Sequence, residues 1–307
     1  MRRLAILVLG MVVLPAQAAF AAELGDLMDG SRDASYTAEQ IISCSTPDGV
    51  RDAVVRITQS GGELRVSSSL TDDVEVAVGA GTWSMKRGGE LVSEASVGQG
   101  KSTVEPLYTV EEQQAVRFLG RAAMSYLLIR DGTPRAELVF DDETGVLVDA
   151  VTYSVDEEIY CERRFVSLDV GSDVAAAQPG QAPDAVSPSA VTDSSLPEEV
   201  VGFERLDQYE DQDGVRFSYY SDGFFSFALF QTPTKVPVSG ATTVSLPSGT
   251  YQRVFTAGQV TYVWETRDGA AALVGDLPPD LHEAVLAAMP HPHDPGFFRR
   301  VWRSLFG

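Results

Sequence analysis

Tyr219-Tyr220-Ser221-Asp222-Gly223-Phe224-Phe225-Ser226-Phe227 is the stretch on which the reading of this 307-residue chain turns. Phe217 and Tyr219 precede an Asp-Gly pair, and Phe225, Phe227 and Leu229 then recur at every second position. Period-two alternation on both sides of Asp-Gly predicts a β-hairpin with a two-residue type I′ turn. Both central residues of that turn need positive φ, which glycine accepts freely and Asp tolerates. A second run, Val274-Gly275-Asp276-Leu277-Pro278-Pro279, closes a strand over Ala271 to Val274 and crosses two prolines that cannot join a ladder. It then starts a helix in which Leu281, Val285 and Met289 stand four apart, so one face of that helix must be covered. Phe224 and Phe230 share the hairpin face opposite Phe225 and Phe227. That face is expected to be an exposed apolar patch of the kind that receives a partner.

Outward from this region, the length predicts two domains, each large enough for its own core. Arg2 and Arg3, an apolar run from Leu4 to Leu14 and small residues ending Ala19-Phe20-Ala21 read as a cleaved secretory signal over residues 1–22. The apolar run is short for a membrane span. The formal net charge is -21, and loss of Arg2 and Arg3 makes the exported chain two charges more acidic. Such a surface repels polyphosphates and argues against nucleic acid, while suiting a basic protein segment. The two cysteines, Cys44 and Cys161, are expected to pair in an oxidising compartment.

The body is read as successive strands. A brief helix is expected over Leu24, Leu27 and Met28. Strands follow over 36–46 and 50–58 around the Pro47-Asp48-Gly49 turn, then over 64–67, 74–78 and 82–86 between glycines. Arg121 to Arg130 fits a helix in part but is read as a strand. The Asp131-Gly132 turn leads to 136–140, and Asp141-Asp142-Glu143-Thr144-Gly145 leads to 146–154, before a last strand over 160–170. Residues 171–196 turn to Ala, Pro, Ser, Gln and Asp, which bury too little surface to offset ordering entropy and predict a flexible linker. The fold class is α+β, mostly antiparallel β. The domains are expected at 23–170 and 197–290, followed by a basic, aromatic tail over 291–307 with Phe297, Phe298, Arg299, Arg300, Trp302, Arg303 and Phe306. That tail could lie at a membrane interface or dock on the acidic body.

Catalytic chemistry finds little support. His282, His291 and His293 are the only histidines, so a Ser-His-Asp or Cys-His site in the first domain would have to borrow from the second. His282 is expected on the helix surface. His291 and His293 flank Pro292 with no thiol beside them, a weak metal pattern, and no metal or cofactor is assigned. Ala95-Ser96-Val97-Gly98-Gln99-Gly100-Lys101-Ser102 satisfies a relaxed phosphate-loop pattern, but Pro106 and the strand-like Leu107 to Val110 follow where a helix should begin.

The Asp-Gly hairpin and Pro-Pro helix start, in this order, together with Leu196-Pro197 and Gly202-Phe203, resemble the C-terminal domain of the RseB/MucB family. These are extracytoplasmic regulators of the envelope-stress sigma factor sigma-E. The Gly120-Arg121 strand and the acidic Glu-Thr-Gly turn resemble the family's N-terminal domain, itself similar to lipoprotein carriers. The resemblance implies an N-terminal curved half-barrel sheet covering short helices and a smaller C-terminal antiparallel sheet with one helix. It also implies a non-enzymatic protein that binds a membrane anti-sigma factor, shields it from regulated proteolysis and releases it on lipidic signals. Tyr220, Asp222, Phe224 and Phe230 are then the candidate partner contacts. Trp83, Met85, Met124, Tyr126 and Phe140 are candidates for an acyl lipid or lipopeptide pocket, with ordinary sheet core as the competing reading. The Cys44 and Cys161 pair and the basic tail depart from the family pattern. A lipid or lipoprotein carrier of the envelope is the alternative.

Overall fold

The computed structural model describes residues 34–46, 49–60, 63–68, 74–79, 82–87, 90–96, 107–171, 189–190, 196–210, 214–234, 240–256 and 259–293. The signal, the helix at 24–28, the phosphate-loop pattern beyond Ser96 and the tail beyond His293 lie outside these residues.

Eleven strands form the first sheet: β1 (Tyr36–Thr46), β2 (Gly49–Ser60), β3 (Glu63–Ser68), β4 (Val74–Gly79), β5 (Thr82–Arg87), β6 (Glu90–Ser96), β7 (Thr109–Phe118), β8 (Arg121–Arg130), β9 (Thr133–Asp141), β10 (Leu147–Tyr153) and β11 (Ile159–Val170). Their order is β6-β5-β4-β3-β2-β1-β11-β10-β9-β8-β7, so the sheet is open. Consecutive strands pair throughout except β6 and β7, which form the two edges, and β1 meets β11 at a central seam. Two local meanders are thus joined by a single long-range pairing. Alternation assigns the faces: Tyr36, Ala38, Ile42 and Cys44 on β1 and Ala53, Val55 and Ile57 on β2 point into the core, while Glu39, Ile41 and Arg56 do not. On the opposite face Arg164 pairs with Asp149 at 3.0 Å and Ser125 donates to Glu137 at 2.8 Å. The Leu119-Gly120 and Asp131-Gly132 turns each place both central residues at positive φ, the type I′ geometry that matches strand twist.

The second sheet holds β12 (Ser189–Ala190), β13 (Glu199–Val200), β14 (Phe203–Glu210), β15 (Arg216–Ser221), β16 (Ser226–Thr232), β17 (Thr242–Leu246), β18 (Gly249–Thr256), β19 (Gln259–Glu265) and β20 (Ala270–Gly275). Its order is β12-β14-β15-β16-β20-β19-β18-β17, with β13 on β14. Within the segment read as a linker, Ser189 and Ala190 pair with Glu210 and Tyr209. Helix α1 (Pro279–Ala288) follows β20 and buries Val285 and Leu286, with Met289 just beyond its end, as the four-residue spacing predicted. It lies over the face that carries Phe227, Leu229, Tyr251, Tyr262, Trp264 and Leu273. The Trp264 indole N–H donates to Pro290 O at 2.7 Å and fastens the chain beyond the helix.

Gly275 sits where β20 passes closest to β16. A Cβ there would lie 2.5 Å from both Phe227 Cβ and Ser226 O, and the carbonyl cannot swing away. Gly275→Ala is expected to cost about 1–3 kcal/mol as overpacking, read as a lower urea midpoint at unchanged slope.

Candidate functional site

The hairpin of β15 and β16 does not close as a type I′ turn. Ser221 and Ser226 form its last rung, leaving a four-residue loop in which only Gly223 has positive φ, at 97°. The physical reason is the Asp222 carboxylate: its Oδ1 accepts the Phe224 and Phe225 amides at 3.0 and 2.8 Å, an Asx-type closure that widens the loop. The Asp222 N–H donates to Phe225 O at 3.1 Å, and Ser221 Oγ bridges Gly223 N and Phe225 O.

This loop points into the first unit. Asp222 Oδ2 accepts the Tyr108 hydroxyl at 2.6 Å and Arg130 Nη1 at 2.8 Å, and the Asp222 side chain is wholly buried. Phe224 and Phe225 lie edge-on to Tyr108 with ring centroids 5.9 and 6.4 Å away, and Phe225 also meets Tyr160 at 6.3 Å. One apolar core therefore runs from the first sheet through these rings into the second. The exposed patch expected on the hairpin is corrected accordingly. Tyr220 and Asp222 are 0% exposed and Phe224 is 8% exposed: the other unit covers Asp222 and Phe224, while Tyr220 is buried within its own unit. Tyr220 stacks on Phe227 and donates to Pro197 O, which explains the Leu-Pro approach to this unit. Phe230 is half-buried on the other face, against Phe217.

The Pro-Pro run contributes the second half of the joint. Asp276 pairs with Arg163 at 2.7 Å, both largely enclosed. Asp280, in the first turn of α1, pairs with Arg135 at 3.2 Å and accepts the Val155 N–H at 3.3 Å. Gly202 completes it. With φ of +81° in the Val201-Gly202 turn between β13 and β14, it lies where a Cβ would come within 2.5 Å of an Arg130 guanidinium nitrogen.

Burial raises the Asp222 carboxyl above its ordinary range, and the Tyr108 hydroxyl, the loop amides and Arg130 act against that rise. Burial, reinforced by Asp222, holds the Tyr108 phenol well above its usual value. These groups are engaged with one another, so what the joint provides is fixed relative positioning of two units rather than proton transfer. Outside the joint, the Gly120-Arg121 and Glu-Thr-Gly elements meet. Arg121 binds Asp141 through Nε and Nη2 at 2.6 and 3.1 Å and reaches Glu143 at 2.8 Å, while Asp141 Oδ1 accepts from the Thr144 N–H and hydroxyl. Burial pushes the Asp141 carboxyl up, but those hydrogen bonds outweigh it and leave it below the usual range.

Of the pocket candidates, Met124, Tyr126 and Phe140 come together: Met124 faces Phe140 across β8 and β9, and Tyr126 meets Phe140 edge-on at 5.8 Å. Trp83 and Met85 are on β5, beside the opposite edge strand in the sheet order. Cys44 and Cys161 are bonded, as expected, and sit directly opposite each other at the seam of β1 and β11. His282 is corrected from a surface position, because its ring is held between Tyr262 and Leu277 O. The joint residues Tyr108, Arg130, Arg135, Tyr160 and Arg163 were not singled out from sequence. One signal was present: Arg163 occupies an inward position between Cys161 and Phe165, where a lone arginine requires a buried anion.

No family model matches the chain, and no curated protein matches it. Solved structures do. A crystal structure of MucB is similar with TM-score 0.55 at 18% identity, covering 89% of this chain and 99% of that one. MucB in complex with MucA(peri) gives 0.51 at 18% identity, over 88% and 98%. The MucA/MucB complex of Pseudomonas aeruginosa gives 0.52 at 17% identity, again over 88% and 98%. The likeness spans both units, so the two-sheet fold, with one helix among the described residues, is similar to the fold of MucB.

Proposed function

We propose that this chain is an exported, non-enzymatic regulator that binds the extracytoplasmic segment of a membrane anti-sigma factor. It shields that segment from regulated proteolysis and releases it when an envelope signal binds. The observation that carries this reading is the match of both units, over nearly the whole length of MucB, to a protein solved in complex with MucA, in one case as MucA(peri). The acidic charge supports it, since -21 attracts a basic segment and repels nucleic acid. Release needs no covalent step: a signal that favours the released form lowers partner affinity by its differential free energy for the two forms.

The lipid part of the reading draws on Met124, Tyr126 and Phe140, an aromatic and thioether cluster on adjacent strands of the first sheet. Chemical crosslinking in intact cells, followed by capture of this protein from solubilised membranes, is expected to recover one membrane anti-sigma factor. Recovery of acyl lipid with no such protein would replace the regulator reading by that of a carrier.

A further inference from the structure

Helix α1 covers one face of the second sheet, and the strand register fixes what stands on the other. Tyr219, Ala228, Val274, Thr261 and Val254 form one row across β15, β16, β20, β19 and β18. Phe217, Phe230, Ala272 and Val263 form the next. Tyr209, Ala228, Val263, Ala270, Ala272 and Val274 on this face are buried, Val263 and Val274 to 4% and 2% exposure. None of these six belongs to the core that joins the first sheet, the second sheet and α1. Alanines at 228, 270 and 272 give the face a low floor along β16 and β20. An apolar sheet face of this kind takes a second layer over it. Thr261 Oγ1 and Gln259 Oε1, buried on the same face, have no hydrogen-bond partner among the described residues, so that layer has donors to meet.

The identity of the layer follows from chain length and composition. Residues 235–239 join β16 to β17 past three strands, a crossing of about 19 Å that uses nearly all of their extended length and leaves a strap, not a layer. Of the segments beyond the described residues that adjoin this unit, only 294–307 carries an aromatic or a leucine. Its starting point is set by the residues before it. Pro290 O accepts the Trp264 indole N–H on the α1 side, Pro292 packs against Gly249, and the His293 N–H donates to Glu265 O at 2.7 Å, in the plane of the sheet. By His293 the chain has thus reached the rim between β18 and β19. At about 100° per residue, Phe297, Phe298, Val301, Trp302, Leu305 and Phe306 fall within one half of a helix. Arg299, Arg300, Arg303 and Ser304 fill the other half, and Asp294-Pro295 suits the helix start. We propose that residues 297–306 form a helix that lies on this face, so that the second unit is a sheet between two helices. A helix of that length runs about 15 Å, close to the length of β20, and its arginines then face solvent on an acidic protein.

The test is NMR of the full-length protein labelled at alanine and valine methyls, with Trp302→Phe used to assign the Trp302 ring. Trp302 ring protons are expected to show NOEs to the methyls of Val263, Ala272 and Val274, and this arm needs no variant to fold. A chain ending at His293 is expected to shift those methyls, leave that of Val285 in place and bind the dye ANS several-fold more strongly. A Trp302 ring without contact to these methyls, contacts found only between differently labelled copies, or methyls unmoved by loss of 294–307 overturns the proposal. Pelleting with phosphatidylglycerol vesicles through 294–307, in the absence of those NOEs, gives the segment to the membrane instead. None of these readouts involves a protein partner, so they stand apart from the regulator reading.

Discussion

Asp222→Ala is expected to be the most destabilising single change in the chain, lowering unfolding free energy by about 3–5 kcal/mol, the usual cost of breaking one side of a buried pair. The carboxylate does two jobs at once. It closes the hairpin loop through the Phe224 and Phe225 amides, and it anchors the loop to Tyr108 and Arg130. Alanine leaves a guanidinium and a buried phenol without their acceptor, and the loop amides without theirs. Asp222→Asn should lose less, since an amide oxygen still accepts from the loop but no longer carries the charge that faces Arg130. Urea unfolding of Asp222→Ala, Arg130→Ala and the double variant supplies the coupling between the two residues. A cost below about 1 kcal/mol for Asp222→Ala would show that the joint is held elsewhere. If the units must keep their relative position to hold a partner, the same variant should bind the proposed partner far less well at temperatures where it remains folded.

Removing the disulfide by the double change Cys44→Ser with Cys161→Ser is expected to have an effect of comparable size. The bridge joins residues 117 apart in sequence. In the chain-entropy account, closing so long a loop stabilises by roughly 4–5 kcal/mol through the unfolded ensemble. Its position matters as well, because it lies on the one long-range pairing of the first sheet, and without it the two meanders must find each other unaided. Thermal unfolding of the native and double-serine proteins measures the effect. An unchanged transition temperature would mean that the seam is held by its apolar rows alone. Mass spectrometry without reduction is expected to find the chain two hydrogens lighter than its dithiol.

Much of the strand pattern was legible because period-two burial leaves a local mark. Tyr36 to Thr46 and Arg121 to Arg130 were read with the bounds they have. The helix after Pro278-Pro279 was legible for the same reason, its spacing of four placing Val285 and Met289 inward. β7 was read only at its start, since a strand with Glu111, Glu112, Gln113 and Gln114 exposed at the sheet edge carries no alternation to detect. The Asp-Gly pair identified a hairpin correctly and its closure wrongly, because the Asp222 side chain could bond to its own loop amides as readily as the backbone could turn at Asp and Gly. The same residue misled about exposure. Alternation shows that Phe224 and Phe225 face opposite ways, but not that both find cover in another unit.

By itself the amino-acid order determined many of the strands, where two prolines end a ladder and start a helix, and that two cysteines would bond. These follow from local sterics, burial periodicity and compartment chemistry, all short-range or compositional. Only the tertiary structure decided that β1 would meet β11, that Arg130, Arg135 and Arg163 would find Asp222, Asp280 and Asp276, and that His282 would lie against Leu277 O. Those partners are between 5 and 145 residues apart, and the tally of free energy that selects them is made over whole packed surfaces, which no window of sequence contains.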